Sequence, residues 1–144
     1  FSYWVPHSTE LRNAPTDRWG APREQLLSDT RILDVLLHNS DRHHGHFLFG
    51  PHWAVEGSRP VLIDHAASFR KEAFVSMEHE NAFQTGPVCT VSPTTFLRLR
   101  YLDATSIARE LHGVLTEREM RELLQRRNAI LEYLDQKVEQ QGFK

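Results

Sequence analysis

The chain has a single cysteine, Cys89, among its 144 residues, which excludes an internal disulfide. A lone thiol favours a reducing compartment such as the cytoplasm. No apolar run approaches the roughly 18–20 residues needed to span a bilayer. The formal net charge of −2 gives no reason to expect nucleic acid or an anionic membrane as a partner. With 40% hydrophobic and 25% charged residues, the composition is that of an ordinary soluble domain.

The beginning of the chain lacks the basic end and apolar stretch of a signal peptide, and it also lacks an initiator Met. We therefore expect a chain that has been processed or excised from a longer one. Residues 1–25 have no clear hydrophobic periodicity, and we interpret them as an irregular segment. Residues 26–144 are long enough to bury a core and are interpreted as one compact domain.

The helices are predicted from apolar residues at helical spacing and from capping residues. The first helix is predicted from an N-cap at Ser28 or Asp29 to about His38, and the second starts after the N-cap Ser92. The third is predicted from Thr105 to Gly113, and the fourth from the capping box of Thr116 and Glu119 to about Gln140. The arginines interleaved with acids in the C-terminal helices are expected on a solvated surface: Arg98, Arg100, Arg109, Arg118, Arg121, Arg126 and Arg127.

Short strand-like runs lie between the first helix and the C-terminal helices. Phe47–Phe49 and Trp53–Val55 flank a Gly-Pro turn, and Val61–Ile63 leads directly into Asp64. The predicted fold class is therefore mainly α, of the α+β type, with a small β hairpin beside the loop 39–46.

Asp41 is the first candidate for catalysis, because it follows the first helix in a short polar loop. A carboxylate held there can accept the proton of an attacking hydroxyl and align that hydroxyl with the γ-phosphate of a nucleotide. The alternative is that Asp41 caps a turn, as aspartate often does. We group Arg42 and His43 with Asp41 as catalytic candidates, since the fixed fork of the Arg42 guanidinium suits a carboxylate or a phosphate.

Asp64 and His46 are the candidate metal ligands. An ionised carboxylate at the end of an apolar strand needs a partner, and Mg²⁺ and Mn²⁺ both accept oxygen ligands. His46 lies five residues after Asp41, where kinases usually have an asparagine for a second metal ion. An imidazole nitrogen would suit Mn²⁺ better than Mg²⁺. The alternatives are an Asp64 that opens a turn and a loop His46 that contacts solvent or phosphate.

Nine histidines also raise the question of a zinc site. A structural zinc site usually takes four cysteine or histidine ligands at set spacings. The histidines near the loop match no such pattern and have no cysteine nearby: His38, His43, His44, His46 and His65. A dedicated zinc site is therefore not the favoured interpretation. Asn39 and His65 are instead grouped with His46 as candidate nucleotide contacts.

Four segments carry a resemblance to a known family. The runs RILDVLLHNSDRHHGHFLF and VLIDHAASF resemble the catalytic and metal-binding segments of the FAM20 and four-jointed secretory-pathway kinases. The phosphatidylinositol kinase superfamily has the same Asn-x-Asp-Arg-His and Ile-Asp-His arrangement. The segments CTVSPTTFLRLRYL and LTEREMRELLQRRNAILEYLDQKVEQQGF look like the C-terminal helices of the FAM20 type. The resemblance covers about residues 30–144, which corresponds to a kinase C-lobe.

The resemblance implies an ATP-dependent kinase that uses Mg²⁺ or Mn²⁺. Asp41 would be the catalytic aspartate, Asp64 would hold the metal, and the acceptor would be a hydroxyl on a protein or small molecule. The family's N-lobe has no counterpart here, so either a longer chain or a partner chain supplies it, or the chain works with minimal nucleotide contacts, or it has lost activity. His46 stands where the family has an acidic or amide residue, and the family's disulfide cysteines are absent apart from Cys89. The alternatives are an inactive pseudokinase that acts as a binding module and a lipid kinase. The family also implies the secretory pathway, against the cytoplasm favoured by Cys89.

Overall fold

The computed structural model describes residues 8–13, 23–49, 61–69, 77 and 88–141. In these residues the fold is mainly helical, with a small three-stranded antiparallel sheet. The α-helices are α1 Arg23–Leu37, α2 Pro93–Tyr101, α3 Ala104–Leu111 and α4 Glu117–Gln141. The strands are β1 Thr9–Glu10, β2 Phe47–Phe49 and β3 Val61–Leu62, and short 3-10 helices span Leu11–Asn13 and His44–His46. Of the helices in these residues, none is both long and apolar enough to cross a membrane.

Helix α1 begins earlier than the sequence predicts. Its first residue is Arg23, so the predicted N-cap at Ser28 or Asp29 is wrong. The Ser28 hydroxyl accepts a hydrogen bond from the backbone N–H of Cys89 at 3.0 Å, and the Asp29 carboxylate accepts one from that of Ser92 at 3.1 Å. These side chains have the oxygens that capping requires, but they bind backbone from a segment distant in sequence. They attach the chain before α2 to the side of α1.

The C-terminal end of α1 is a Schellman motif. The backbone N–H of His38 donates to the carbonyl of Val35 at 3.1 Å, and that of Asn39 donates to the carbonyl of Asp34 at 2.8 Å. His38 has a φ of +56°, the left-handed conformation that glycine usually supplies at this position. The prediction that the helix ends near His38 is confirmed. This turn sends the loop 39–46 back along α1.

The caps of the C-terminal helices follow the sequence closely. The Ser92 hydroxyl accepts from the N–H of Thr95 at 3.1 Å, as predicted for the N-cap of α2. In the predicted capping box, the N–H of Thr116 donates to the Glu119 carboxylate at 2.7 Å, and the N–H of Glu119 donates to the Thr116 hydroxyl at 3.3 Å. Helix α3 is capped by Asp103, so it starts one residue before the predicted position.

The sheet joins an early segment of the chain to the strands around the loop 39–46. Strand β2 pairs antiparallel with β1 on one side and with β3 on the other, with Phe47 opposite Leu62. The predicted strands at 47–49 and 61–63 are confirmed, with β3 one residue shorter, whereas the one at 53–55 lies outside the described residues. The interpretation of 1–25 as irregular is wrong at β1, at the 3-10 helix Leu11–Asn13 and at the first residues of α1. A two-residue strand is too short to leave a periodic pattern in the sequence.

Helix α1 lies between two groups of buried apolar residues. Ile32 and Val35 pack with Ile130 and Leu134 of α4, and Ile130 is 0% exposed. On another side, Leu26 and Leu27 pack against a cluster formed by Leu11, Phe47 and Phe49. The apolar residues at helical spacing on α4 are predicted to be core, and this is confirmed at Ile130 and Leu134, whereas Val138 at the end of the same face is 45% exposed. Helix α1 therefore packs against α4 and against the apolar cluster of the sheet.

The prediction that Arg126 belongs to a solvated surface is wrong. Arg126 is 5% exposed, and its Nε donates to the carbonyl of Leu36 at 2.8 Å. Its guanidinium carbon also lies 5.6 Å from the centre of the Phe69 ring. Leu36 is in the last turn of α1, where carbonyls have no partner within the helix. Arg126 falls on the same helical face as Ile130, so the spacing contained a signal that it faces the core.

Candidate active site

The loop after α1 positions Asp41 through Asn39. Asn39 is 0% exposed, and its side-chain oxygen accepts a hydrogen bond from the backbone N–H of Asp41 at 3.2 Å. Its amide nitrogen donates to the Asp34 carboxylate at 3.3 Å. The Asp41 side chain is exposed. Asn39 was predicted to contact nucleotide, but its buried amide is engaged in fixing the loop. We therefore assign it a positioning role.

All five N–H groups of Arg42 are engaged within the protein. Nε and Nη2 donate to the carboxylate of Asp34, and the Nη2–Oδ1 distance is 2.9 Å. Nη1 donates to the carbonyl of Ile63 at 2.7 Å and to that of His46 at 3.3 Å. The second N–H of Nη2 donates to His65 Nδ1, and the two nitrogens are 3.3 Å apart. Because a guanidinium has no acceptor, Nδ1 of His65 must accept and its ring proton lies on Nε2.

Arg42 is therefore a buried structural connection and not an exposed phosphate ligand. The side chains of Arg42 and Asp34 are both 0% exposed. Of the two partners predicted for Arg42, a carboxylate or a phosphate, the structure has the carboxylate. Its assignment as a catalytic contact is replaced by a positioning role, because no N–H group is left to point into a substrate site.

Asp34 also belongs to this site, although the sequence motifs do not predict it. Burial raises the pKa of its carboxyl, and the hydrogen bonds and charge of Arg42 oppose that rise. The missed signal is an acidic residue between Ile32 and Val35, which are both core residues of α1. An ionisable group at such a position requires a partner, because burying an unpaired charge is costly.

The ring of His43, which precedes the short 3-10 helix, contacts the ring of His46 within it at an interplanar angle of 39°. Their ring centroids are 3.5 Å apart, and His43 Nδ1 accepts a hydrogen bond from the N–H of Gly45 at 3.1 Å. A Cβ on Gly45 would lie only 3.0 Å from the His43 ring, so any larger residue there would need the ring to move by a few tenths of an ångström. The side chain of His43 thus caps the 3-10 helix that carries His46.

Asp64 faces His46 across the end of β3. The distance from Asp64 Oδ2 to His46 Nε2 is 3.6 Å, and the two side chains are 48% and 10% exposed. Asp64 has a left-handed φ of +54°, and its Oδ1 lies 3.4 Å from the N–H of Ala66 as the acceptor of a turn. One oxygen of Asp64 therefore accepts within a turn, which is the alternative predicted for this residue. The other oxygen faces the imidazole of His46, the second candidate metal ligand.

The charges of both candidate carboxylates reach His46. Burial lowers the pKa of His46 most strongly, and the nearby charges of His43 and Arg42 lower it further. The carboxylates of Asp64 and Asp41 raise it, without reversing the net decrease. The structure thus brings Asp41, Asp64 and His46 into one electrostatic neighbourhood. The imidazole is held in its neutral form more strongly than in solution.

The lowered pKa of His46 predicts a pH-dependent loss of stability. The unfolded chain has a histidine of ordinary pKa, about 6.5, and so binds the proton more readily than the folded chain. The stability from a neutral His46 is present above that pKa and is lost as pH falls through the folded value. From about pH 7.5 to about pH 5.5, urea denaturation should show a larger loss for the wild type than for His46→Gln. Exposed His112→Gln is the control, and equal losses in His46→Gln and the wild type would contradict this assignment.

Comparison with protein-family models, curated proteins and solved structures gave no match to this chain. Within the described ranges, no three residues among His, Cys, Asp and Glu are grouped so that they could hold a metal ion. The structure brings two of the predicted ligands together, His46 and Asp64.

Proposed function

We propose that this chain is the C-lobe of a kinase of the FAM20 and four-jointed type, which transfers the γ-phosphate of ATP to a hydroxyl. Asp41 would be the general base, and Asp64 and His46 would hold Mn²⁺ or Mg²⁺. The observation that carries the proposal is the contact of 3.6 Å between Asp64 Oδ2 and His46 Nε2. It lies beside an exposed Asp41 whose charge acts on the same imidazole.

The chemistry of the two ligands fits a divalent cation. At 3.6 Å their atoms are too far apart for a hydrogen bond, and adjacent ligands of an ion bound at about 2.1 Å lie roughly 3 Å apart. His46 Nδ1 is buried and has no hydrogen-bond partner among the described residues. Its tautomer is therefore not fixed by such a bond, and a proton on Nδ1 leaves the Nε2 lone pair facing Asp64. Mg²⁺ and Mn²⁺ sites of this kind commonly use few protein ligands and complete their coordination with water and phosphate oxygens.

The remaining residues have roles that follow from their contacts. Asp41 is exposed, so its carboxylate can accept the proton of an acceptor hydroxyl, and Asn39 fixes its backbone for that task. A bound cation would neutralise the charge of the nucleotide phosphates. His65 is half-buried with its proton on Nε2, and it stays a predicted nucleotide contact. Arg42 and His43 hold the loop and the 3-10 helix in position.

The metal part of the proposal predicts selective thermal stabilisation. A cation that binds only the folded state adds about 2.7 kcal/mol when present at about 100 times its Kd. Mn²⁺ should raise the melting temperature more than Ca²⁺, because an imidazole nitrogen is a poor ligand for calcium. Asp64→Asn and His46→Gln should remove the effect, while the exposed Asp135→Asn on α4 should keep it. Equal effects of both ions that survive Asp64→Asn would place the binding elsewhere.

Phosphoryl transfer itself tests the function. The wild-type chain is incubated with Mn²⁺ and γ-labelled ATP in the presence of serine peptides, a sugar or phosphatidylinositol vesicles. Label on a peptide or sugar supports the proposal, and label confined to phosphatidylinositol favours the lipid kinase. Nucleotide binding without transfer to any acceptor favours the pseudokinase. If this chain neither binds nucleotide nor transfers phosphate, it is only half of a site, and the assay is repeated with the longer chain or partner that supplies the N-lobe. Absence of nucleotide binding and transfer in that assay contradicts the proposal.

A further inference from the structure

A buried polar network connects the two halves of the candidate site. It consists of Asp34, Asn39 and Arg42, and we call it the Asp34 network. Asp34 lies inside α1, accepts hydrogen bonds from both other members, and is 0% exposed. The sequence predicts Arg42 as a catalytic contact and Asn39 as a nucleotide contact, but their hydrogen bonds within the protein give both a positioning role. The question is what a buried ion pair does at this position.

One arm of the Asp34 network leads to the proposed base. Asp34 Oδ1 accepts from the Asn39 amide at 3.3 Å, and the Asn39 oxygen accepts from the N–H of Asp41 at 3.2 Å. The Asn39 backbone N–H is also bound to the Asp34 carbonyl, as part of the Schellman motif. The position of the Asp41 backbone is therefore fixed relative to Asp34, a residue within α1.

The other arm leads to the proposed metal ligands. Arg42, held by Asp34 through Nε and Nη2, donates from Nη1 to the carbonyls of His46 and Ile63. His46 is one proposed ligand, and Ile63 immediately precedes the other, Asp64. The N–H of Ile63 also donates to the carbonyl of His46 at 3.1 Å. One guanidinium thus connects the backbone of both ligand segments.

We propose that Asp34 is a positioning residue that sets the separation between the base Asp41 and the metal ligands Asp64 and His46. This inference rests on the proposed function. Its physical basis is that a charged, buried pair with satisfied hydrogen bonds has a single favourable arrangement, whereas leaving one member unpaired is costly. Because both arms meet at one carboxylate, a change there moves both halves of the site. A change at Asn39 moves only the base.

The test compares two variants that differ in the number of arms affected. Asp34→Asn removes the charge that holds Arg42 and alters both arms. It should lower kcat by about 10²-fold and also weaken Mn²⁺ binding, because misplacement by about 1 Å can cost that much. Asn39→Ala removes the hydrogen bond to the Asp41 N–H. It should lower kcat while leaving the Kd for Mn²⁺ and the KM for ATP near their wild-type values.

A measurement without metal or substrate separates positioning from loss of fold. Amide hydrogen exchange by NMR should be faster at Asp41 in both variants. The ¹⁵N shifts of the His65 ring should change in Asp34→Asn only, since its Nδ1 accepts from Arg42. Ile130→Ala is the matched control. It removes a fully buried side chain from the core between α1 and α4, and should lower the melting temperature without changing either signal or kcat.

The outcomes distinguish a failure of the positioning role of Asp34 from a failure of the proposed kinase function. If the wild type transfers phosphate while a folded Asp34→Asn keeps wild-type kcat, Mn²⁺ affinity and His65 shifts, the positioning role is wrong and the proposed function stands. If Asp34→Asn does not fold, Asn39→Ala decides, and an unchanged kcat with rapid Asp41 exchange overturns the inference. If the wild type neither binds Mn²⁺ nor transfers phosphate, both the function and the inference fail.

Discussion

Asp41→Asn is expected to lower the rate of phosphoryl transfer by about 10²–10⁴-fold, the usual contribution of a positioned general base. The asparagine keeps the size of the side chain but cannot take the proton of the acceptor hydroxyl. Because Asp41 is exposed, its substitution should leave folding unchanged. Binding of Mn²⁺ and of ATP should also be nearly unchanged, since neither is assigned to this carboxylate. Single-turnover labelling of an acceptor, with calorimetry for binding, measures both effects.

Two further variants make the result specific. Asp64→Asn should remove metal binding and transfer together, because it deletes a proposed ligand. Asp135→Asn also changes an exposed aspartate, in an ion pair with Arg100 on the C-terminal helices, and should alter neither. If Asp41→Asn transfers phosphate at the wild-type rate, Asp41 is not the base. The interpretation that it only occupies a turn would then be preferred.

The parts of the fold that the sequence predicts well are those governed by local interactions. The Ser92 cap, the capping box of Thr116 and Glu119, and the end of α1 near His38 each depend on residues within five positions of one another. Side chains and backbone that are neighbours in sequence must meet whatever the tertiary structure is. These features could therefore be read without knowing how the helices pack.

The parts that could not be predicted involve groups that meet only after the chain has folded. Ser28 has the oxygen of an N-cap, but its partner is a backbone N–H some 61 residues away. The short strand Thr9–Glu10 acquires its structure from pairing with β2. No local pattern distinguishes a serine that caps its own helix from one that binds a distant segment.

The candidate site has features set by local sequence and contacts that form only after folding. The order of loop, strand and carboxylate indicates that Asp41 and Asp64 belong to one site, and the structure adds that the charges of both reach His46. The partner of Arg42 could not be predicted, because the contact depends on the left-handed turn at His38 that folds the loop back onto α1. A guanidinium suits a phosphate as well as a carboxylate, and burial decides between them.

Removing Arg42 is expected to be among the most destabilising single changes in the chain. Arg42→Ala leaves Asp34 as a buried carboxylate without its cation, and breaking such a pair typically costs about 3–5 kcal/mol. Asp34→Ala should cost a similar amount for the converse reason. The double variant should cost clearly less than the sum, because the second change removes the group that the first left unpaired. Urea denaturation of the four proteins at one pH gives the coupling free energy.

The chain contains a matched pair for comparison. Arg100 and Asp135 have the same N–O distance of 2.9 Å, but each side chain is 51% exposed, whereas Arg42 and Asp34 are 0% exposed. Exposed pairs are worth about 0.2–1 kcal/mol, so the Arg100–Asp135 cycle should give a small coupling that weakens further in salt. Equal coupling in the two cycles would mean that Arg42 and Asp34 are not paired in solution.

A large, salt-resistant coupling for Arg42 and Asp34 would establish the pair but not a net gain in stability. Replacing both residues by apolar ones of similar volume can be neutral. If the doubly apolar variant is stable yet has lost transfer, the pair serves the geometry of the site, whereas wild-type transfer by that variant would contradict the positioning role of Asp34.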